Sequence, residues 1–217
     1  MLAIGQAQLF VQGIQNGSGL TDKTGIYVDD SIETVSLGKL EKGENTIVLS
    51  RSFGKVSTLE AVYLLGDFGV ELNGRTYTVT APVRELEFGD WTRQGLPFYG
   101  GNVTYKCVVE GNDEELSVMI PHFAQPVCTV GVDGVRTGTV ALSPYTAPLG
   151  KLSKGKHLVE ITAFGNRFNT FASLHMADPA ARWYGPDAWR RKGTRFSYEY
   201  NVKPSGIITA PTLVKFE

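Results

Sequence analysis

An internal repeat limits what this chain can fold into more than any other feature of its sequence. The block LGKLEKGENTIVL, Leu37 to Leu49, returns as LGKLSKGKHLVEI, Leu149 to Ile161. Leu37/Leu149, Gly38/Gly150, Lys39/Lys151, Leu40/Leu152, Lys42/Lys154 and Gly43/Gly155 all lie 112 positions apart. Identities at one fixed offset mean that one structural unit is used twice. Each copy continues to a Phe-Gly pair (Phe53-Gly54, Phe164-Gly165) and a second apolar run opening at Thr58-Leu59 or Thr170-Phe171. The two blocks are therefore expected at equivalent turn-and-strand positions, with Leu40 and Leu152 both buried. Residues 1–80 form the first domain of this reading and 81–217 the second.

The local patterns are those of strands. Residues 4–15 alternate loosely and reach a turn at Asn16-Gly17-Ser18-Gly19. A second strand is expected from Tyr27 to Val35, and a third from Thr46 to Leu49, after the tight turn Lys42-Gly43-Glu44-Asn45. Leu59 to Gly66 is apolar on both faces and reads as a central strand of a sandwich. A hairpin follows at Val70 to Val79, turning at Asn73-Gly74. Residues 80–102, rich in Pro, Gly and aromatic rings, read as the junction between the copies. From Val103 the alternation is clean, with Val103, Tyr105, Cys107 and Val109 on one face and Thr104, Lys106 and Glu110 on the other. Leu116 to Ile120 and Val127 to Val132 continue it, and Asp133-Gly134 is the next hairpin turn. FSYEYNV, within Arg195 to Val202, reads as the closing strand. Only Ala177 to Lys192 has helical character, confined by Gly185 and Gly193 to a turn or two from Pro186 through Trp189 and Arg190. The fold class expected is all-β.

Composition removes several classes of function. Lys and Arg number 21 against 22 Asp and Glu, a net charge of -1, which gives no bulk attraction to nucleic acid or to an anionic membrane. No apolar run approaches the roughly 20 residues of a membrane span. Met1 to Phe10 lacks the basic start and apolar centre of a signal peptide, so the reading favours the cytoplasm over secretion. Cys107 and Cys128 both stand in apolar alternating runs, where a buried thiol is the first expectation and a disulfide the second.

The carrying pattern of the repeat is x-L-x-x-G-x-N/H-x-I/V-x-I/L. It is made by Leu40, Gly43, Asn45, Ile47 and Leu49, and again by Leu152, Gly155, His157, Val159 and Ile161. This pattern resembles the jelly-roll, galactose-binding-like sandwich found as a sugar-binding or accessory domain in large bacterial glycoside hydrolases of the β-galactosidase and rhamnosidase type. GLPFYGGNVTYK (Gly95 to Lys106), GNRFNTF (Gly165 to Phe171), RWYGPDAWRR (Arg182 to Arg191) and YEYNVKPSGI (Tyr198 to Ile207) extend the likeness. The resemblance implies two jelly-roll β-sandwiches in tandem, the first shortened at its N-terminus because it lacks an equivalent of FYGGNVTYK. It also implies carbohydrate and the catalytic domain of a parent enzyme as partners. Calcium is the one cofactor such sandwiches suggest, although no dense Asp/Asn loop marks a site. Jelly rolls host many functions, so the fold alone chooses none.

Candidate chemistry is sparse. Trp91 and Tyr99, with Phe98, cluster in the junction; Trp183, Tyr184 and Trp189 cluster near the end, beside Arg190 and Arg191. Sugars offer C–H faces to aromatic rings and hydroxyls to Arg, so these residues are the candidate carbohydrate- or partner-binding platform. The competing role for the rings is to seal one end of the sandwich or dock on a neighbouring domain. Asn166, Arg167 and Asn169 sit in a loop open to binding or to simple turn chemistry. Asp29, Asp30, Glu60, Asp67, Asp90 and Glu199 offer no spacing that singles out an acid and a nucleophile or base. Adjacent Asp29 and Asp30 point to opposite faces of a strand. His122, His157 and His175 have no metal-ligand spacing. His157 replaces Asn45 in the repeated turn and is expected to act locally. A non-catalytic accessory region is therefore the first reading, and a small glycosidase in its own right the second.

Overall fold

The computed structural model describes residues 6–12, 23–48, 55, 62–181 and 188–215. Contacts divide the chain into two compact units, Met1–Gly69 with Val79–Pro82, and Val70–Thr78 with Val83–Glu217. Apart from two short helical turns, every regular element among the described residues is a strand. Among the described residues, no helix is long and apolar enough to cross a membrane.

In the first unit, β1 (Gln6–Gln12), β2 (Lys23–Tyr27), β3 (Asp29–Lys39) and β4 (Val62–Leu65) form an antiparallel sheet in the order β2-β3-β1-β4. Ile32 and Thr34, two apart on β3, are buried together, as the strand period requires. The run ending in Gly66 contributes β4, an outer strand of this sheet with Val62 exposed, and not the central strand expected from its apolar faces. The turn expected at Asn16 to Gly19 lies outside the described residues.

The hairpin β5 (Gly69–Asn73) and β6 (Thr76–Thr80) turns after Asn73 as expected. The second unit then builds two sheets. One runs β10 (Val135–Val140), β9 (Cys128–Val132), β12 (Gly155–Ala163), β7 (Val103–Gly111); the other runs β11 (Thr146–Leu152), β8 (Glu114–Met119), β13 (Thr212–Lys215). One core joins them: Tyr105, Val130, Val159 and Ile161 from the first sheet meet Leu116, Val118, Leu149 and Leu152 from the second. This is a β-sandwich. β7 shows the expected alternation, with Tyr105 buried and Thr104, Lys106 and Glu110 exposed. The β9–β10 hairpin turns at Asp133 (φ 48°) and Gly134 (φ 81°), the left-handed pair that fits the twist of the strands. Cys107 and Cys128 are free thiols on β7 and β9, with β12 between them. Burial holds the Cys128 thiol up at about 11.

The repeat is real at its turn and partial beyond it. β3 and β11 carry Leu-Gly-Lys into the turn, and each pairs antiparallel with an earlier strand, β1 or β8. Gly43 and Gly155 both take left-handed backbone, φ 109° and 130°, which a side chain would strain. Two residues on, the same bond is made with different chemistry. Asn45 Nδ2 donates to the Glu41 carbonyl at 2.9 Å, and His157 Nε2 meets the Ser153 carbonyl at 3.0 Å. The strand after the turn is not shared. β12 lies between β7 and β9 and buries Val159 and Ile161, whereas Thr46, Ile47 and Val48 are exposed and form no strand. Leu152 is buried, but Leu40 is only half-buried, contrary to expectation.

His157 also ties two turns together, because its Nδ1 meets Asp133 Oδ2 at 2.7 Å. With both ring nitrogens facing acceptors, the doubly protonated ring is favoured. The Asp133 carboxylate, then the Ser153 carbonyl, raise the His157 pKa above its ordinary 6.5. The same bond, then the Leu158 amide, lower that of Asp133 below 3.8. The histidine contribution is fully present below the unfolded value and disappears as pH rises through the folded one; the aspartate contribution disappears as pH falls through its lowered value. Stability from this pair is thus expected to decline from mildly acidic to mildly alkaline pH. His157→Asn should flatten that decline in denaturant titrations while keeping the turn bond that Asn45 makes. An unchanged pH slope in the variant would show that other groups set it.

Candidate functional site

The second unit carries a shelf of aromatic rings assembled from three segments. Here β6 and the β5–β6 turn present Tyr77 and Arg75, while the segment after Arg195 presents Phe196, Tyr198 and Tyr200. That segment is pinned to Leu174–Ala177: the Ser197 amide donates to the His175 carbonyl at 2.7 Å, and the Asn201 amide to the Leu174 carbonyl at 2.7 Å. Asn201 Nδ2 also donates to the Met176 carbonyl. The pinning involves one isolated bridge, Met176 with Phe196, so the closing strand expected at Arg195 to Val202 is not a ladder strand. β13 takes that place in the sheet.

Tyr200 is the centre of the shelf. Its ring lies 4.5 Å from the His175 ring, 5.5 Å from Phe98 and 6.0 Å from Tyr77. Burial, then the neighbouring Tyr77, push its hydroxyl upward, so it stays a neutral phenol at ordinary pH. Phe196 packs edge-on against Tyr198 at 4.9 Å, and the Arg75 guanidinium lies 4.3 Å above the Tyr198 ring. The cluster leaves two tyrosines open to solvent, Tyr77 at 58% and Tyr198 at 59%. Half-buried rings hold these exposed ones in place, an arrangement suited to contact with a flat ligand face. Exposed aromatic groups gathered in one patch mark a contact surface.

The residues expected from sequence are distributed otherwise. Trp91, expected at the binding surface, is 1% exposed and belongs to the core, so its ring is unavailable to a sugar. Its segment is not an open junction, because the Trp91 amide donates to the Ser205 carbonyl and Gly206 packs against its ring. Tyr99 is 42% exposed, stands edge-on to Trp91 at 6.2 Å, and donates its hydroxyl to the Asn102 carbonyl. Trp189 is 57% exposed. Arg190 is exposed and donates its amide to the Ala188 carbonyl. Trp183 and Tyr184 lie outside the described residues, as do Pro186 and Asp187, but Ala188 to Lys192 and Ala177 to Ala181 are described and form no α-helix, contrary to expectation. The short helix that is present, α1 (Phe168–Phe171), falls instead in GNRFNTF.

Other candidates prove structural. Asn169 is buried; its Nδ2 donates to the Lys203 carbonyl at 2.7 Å and its Oδ1 accepts from the Lys203 amide at 2.8 Å. Asp90 Oδ1 accepts from the Thr92 amide, the Thr92 hydroxyl and the Ser205 amide, leaving little capacity for acid–base work. Glu60 lies outside the described residues. Among the described residues, no three of His, Cys, Asp and Glu gather into a metal site.

Sequence reasoning missed Arg75, Tyr77, Tyr198 and Tyr200. In the sequence they form two short pairs, Arg75-x-Tyr77 and Tyr198-x-Tyr200, but Arg75 stands in a turn and Tyr198 at a bend, so no strand alternation marks them. What the sequence could not show is that the two segments meet.

No protein-family model matches the chain, and no curated protein does. Among solved structures it is similar to a rhamnosidase from Novosphingobium sp. PP1Y, with a TM-score of 0.41 and 16% identity over 96% of this chain and 20% of that one. It is also similar to a GH2 beta-galacturonidase from Eisenbergiella tayi, with a TM-score of 0.33 and 22% identity over 54% of this chain and 21% of that one. The chain spans about a fifth of either structure. Likenesses at this level assign it to no family.

Proposed function

We propose that this chain is a non-catalytic carbohydrate-binding or accessory β-sandwich region of a glycoside hydrolase, and that it contacts sugar through the shelf of Tyr77, Tyr198 and Tyr200. The observation that carries the reading is the pair of exposed tyrosines held by packed rings beneath them. The repeat pattern and its resemblance to galactose-binding-like sandwiches support it from sequence. The natural partners of such a region are a glycan and the catalytic domain of a parent enzyme.

Affinity electrophoresis in native gels that contain soluble polysaccharides tests the proposal. At least one polysaccharide should retard the chain, and Tyr77→Ala and Tyr198→Ala should each weaken the retardation about threefold to tenfold, the worth of roughly 1 kcal/mol per stacked ring. Aryl glycosides of common sugars should give no turnover above background. Turnover abolished by a single Asp or Glu substitution would establish the alternative, a glycosidase in its own right.

A further inference from the structure

We infer that the glycan taken by the shelf is anionic, a polysaccharide bearing carboxylate or sulfate groups. This rests on the carbohydrate-binding reading above and names its ligand class. The chain's net charge is only -1, so attraction to an anion must be local. It is local here. Arg190, Arg191, Lys192 and Arg195 fall within six positions with no acidic residue among them, and all four are exposed.

The fold delivers this basic loop to the rings. The Phe196 amide donates back to the Gly193 carbonyl at 3.1 Å, and the Arg195 carbonyl accepts from the Ala177 amide at 3.0 Å. The next residue, Phe196, is the ring that packs on Tyr198. From the other side, Arg75 lies directly over the Tyr198 ring. Tyr198 therefore has Arg75 over its ring, and the basic loop ends three residues before it in the same segment. Among the described residues, Arg75, Arg191, Lys192 and Arg195 have no side-chain ion pair. Glu199 and Asp178 are, among the described residues, the acidic groups carried by the two segments that meet here, and Asp178 already accepts the Ala180 amide at 2.9 Å. A guanidinium stacked on a ring keeps its planar N–H edge for a carboxylate or sulfate, while the ring takes the apolar face of the sugar. A neutral glycan would use the rings and leave the cations idle.

The test is titration calorimetry of the full chain with four glycans: polygalacturonate, the same polymer with its carboxyl groups reduced, chondroitin sulfate, and neutral galactan. At low salt, polygalacturonate or chondroitin sulfate should bind about tenfold or more tighter than the reduced or neutral polymer. That preference should shrink at about 0.3 M salt, where screening shortens to a few ångströms. Whichever of the two binds more tightly identifies carboxylate or sulfate as the group read. Arg75→Gln and the double variant Arg191→Gln/Lys192→Gln should each remove much of the preference while leaving circular dichroism unchanged. Equal affinity for charged and neutral polymers would overturn this inference and leave the carbohydrate reading standing. No binding to any of the four would count against the carbohydrate reading itself. Binding to duplex DNA as tight as to the anionic glycans, and unaffected by Tyr198→Ala, would mark a non-specific polyanion patch and overturn the inference.

Discussion

Trp91→Ala is expected to lower the stability of the second unit by about 3–5 kcal/mol, the usual effect of removing a fully buried large aromatic side chain. Trp91 sits on a short turn where its own carbonyl accepts from both the Gln94 and Leu96 amides, and its ring is covered by Gly206. Little there can collapse into the space, because Gly206 holds left-handed backbone at φ 112° beside the ring. The indole Nε1 has no acceptor among the described residues, so Trp91→Phe should cost far less than Trp91→Ala. Urea unfolding followed by circular dichroism reads both variants. A loss below about 1 kcal/mol for Trp91→Ala would place the ring at a surface and restore it as a binding candidate.

Asn169→Ala is expected to cost about 1–2 kcal/mol, because it strands the partly buried amide and carbonyl of Lys203 that the carboxamide satisfies together. Asn169→Asp should rescue little, since a carboxylate cannot donate to the Lys203 carbonyl. Because Lys203 follows the segment that carries Tyr198 and Tyr200, loosening it should also weaken glycan retardation. Stability and retardation that both match the unaltered chain would show that the loop, not this bond, fixes the shelf.

The sequence was most legible where the rule that decides is local. Gly74 opens one hairpin turn, one residue later than the Asn73-Gly74 pair suggests, and Asp133-Gly134 makes another, because few other residues accept that left-handed backbone. Val103 to Val109 alternate because one face of β7 meets the core. The repeated turn was legible for the same reason, down to His157 standing in for Asn45. Errors arose where long-range pairing decides. The run that yields β4 is apolar enough for a central strand, yet among the described residues β4 pairs only with β1. Thr46 to Val48 has β-branched residues, but among the described residues no strand flanks it to complete a ladder. Trp91 looked like a surface ring because Pro and Gly surround it, and its burial depends on Ser205 and Gly206, more than a hundred residues away. For the same reason the shelf was invisible, since Tyr77 and Tyr200 touch only after the hairpin and the late segment meet.

The central claim, that the exposed tyrosine shelf is where this chain holds a glycan, is tested most directly by NMR titration of the isotopically labelled protein with an oligosaccharide of whichever polymer binds in the calorimetric series. The account expects the amide shifts that move with ligand to centre on Arg75, Tyr77, Tyr198 and Glu199. Shifts centred on Tyr99 or Trp189 with the shelf unmoved, or no shifts at saturating ligand, would contradict it.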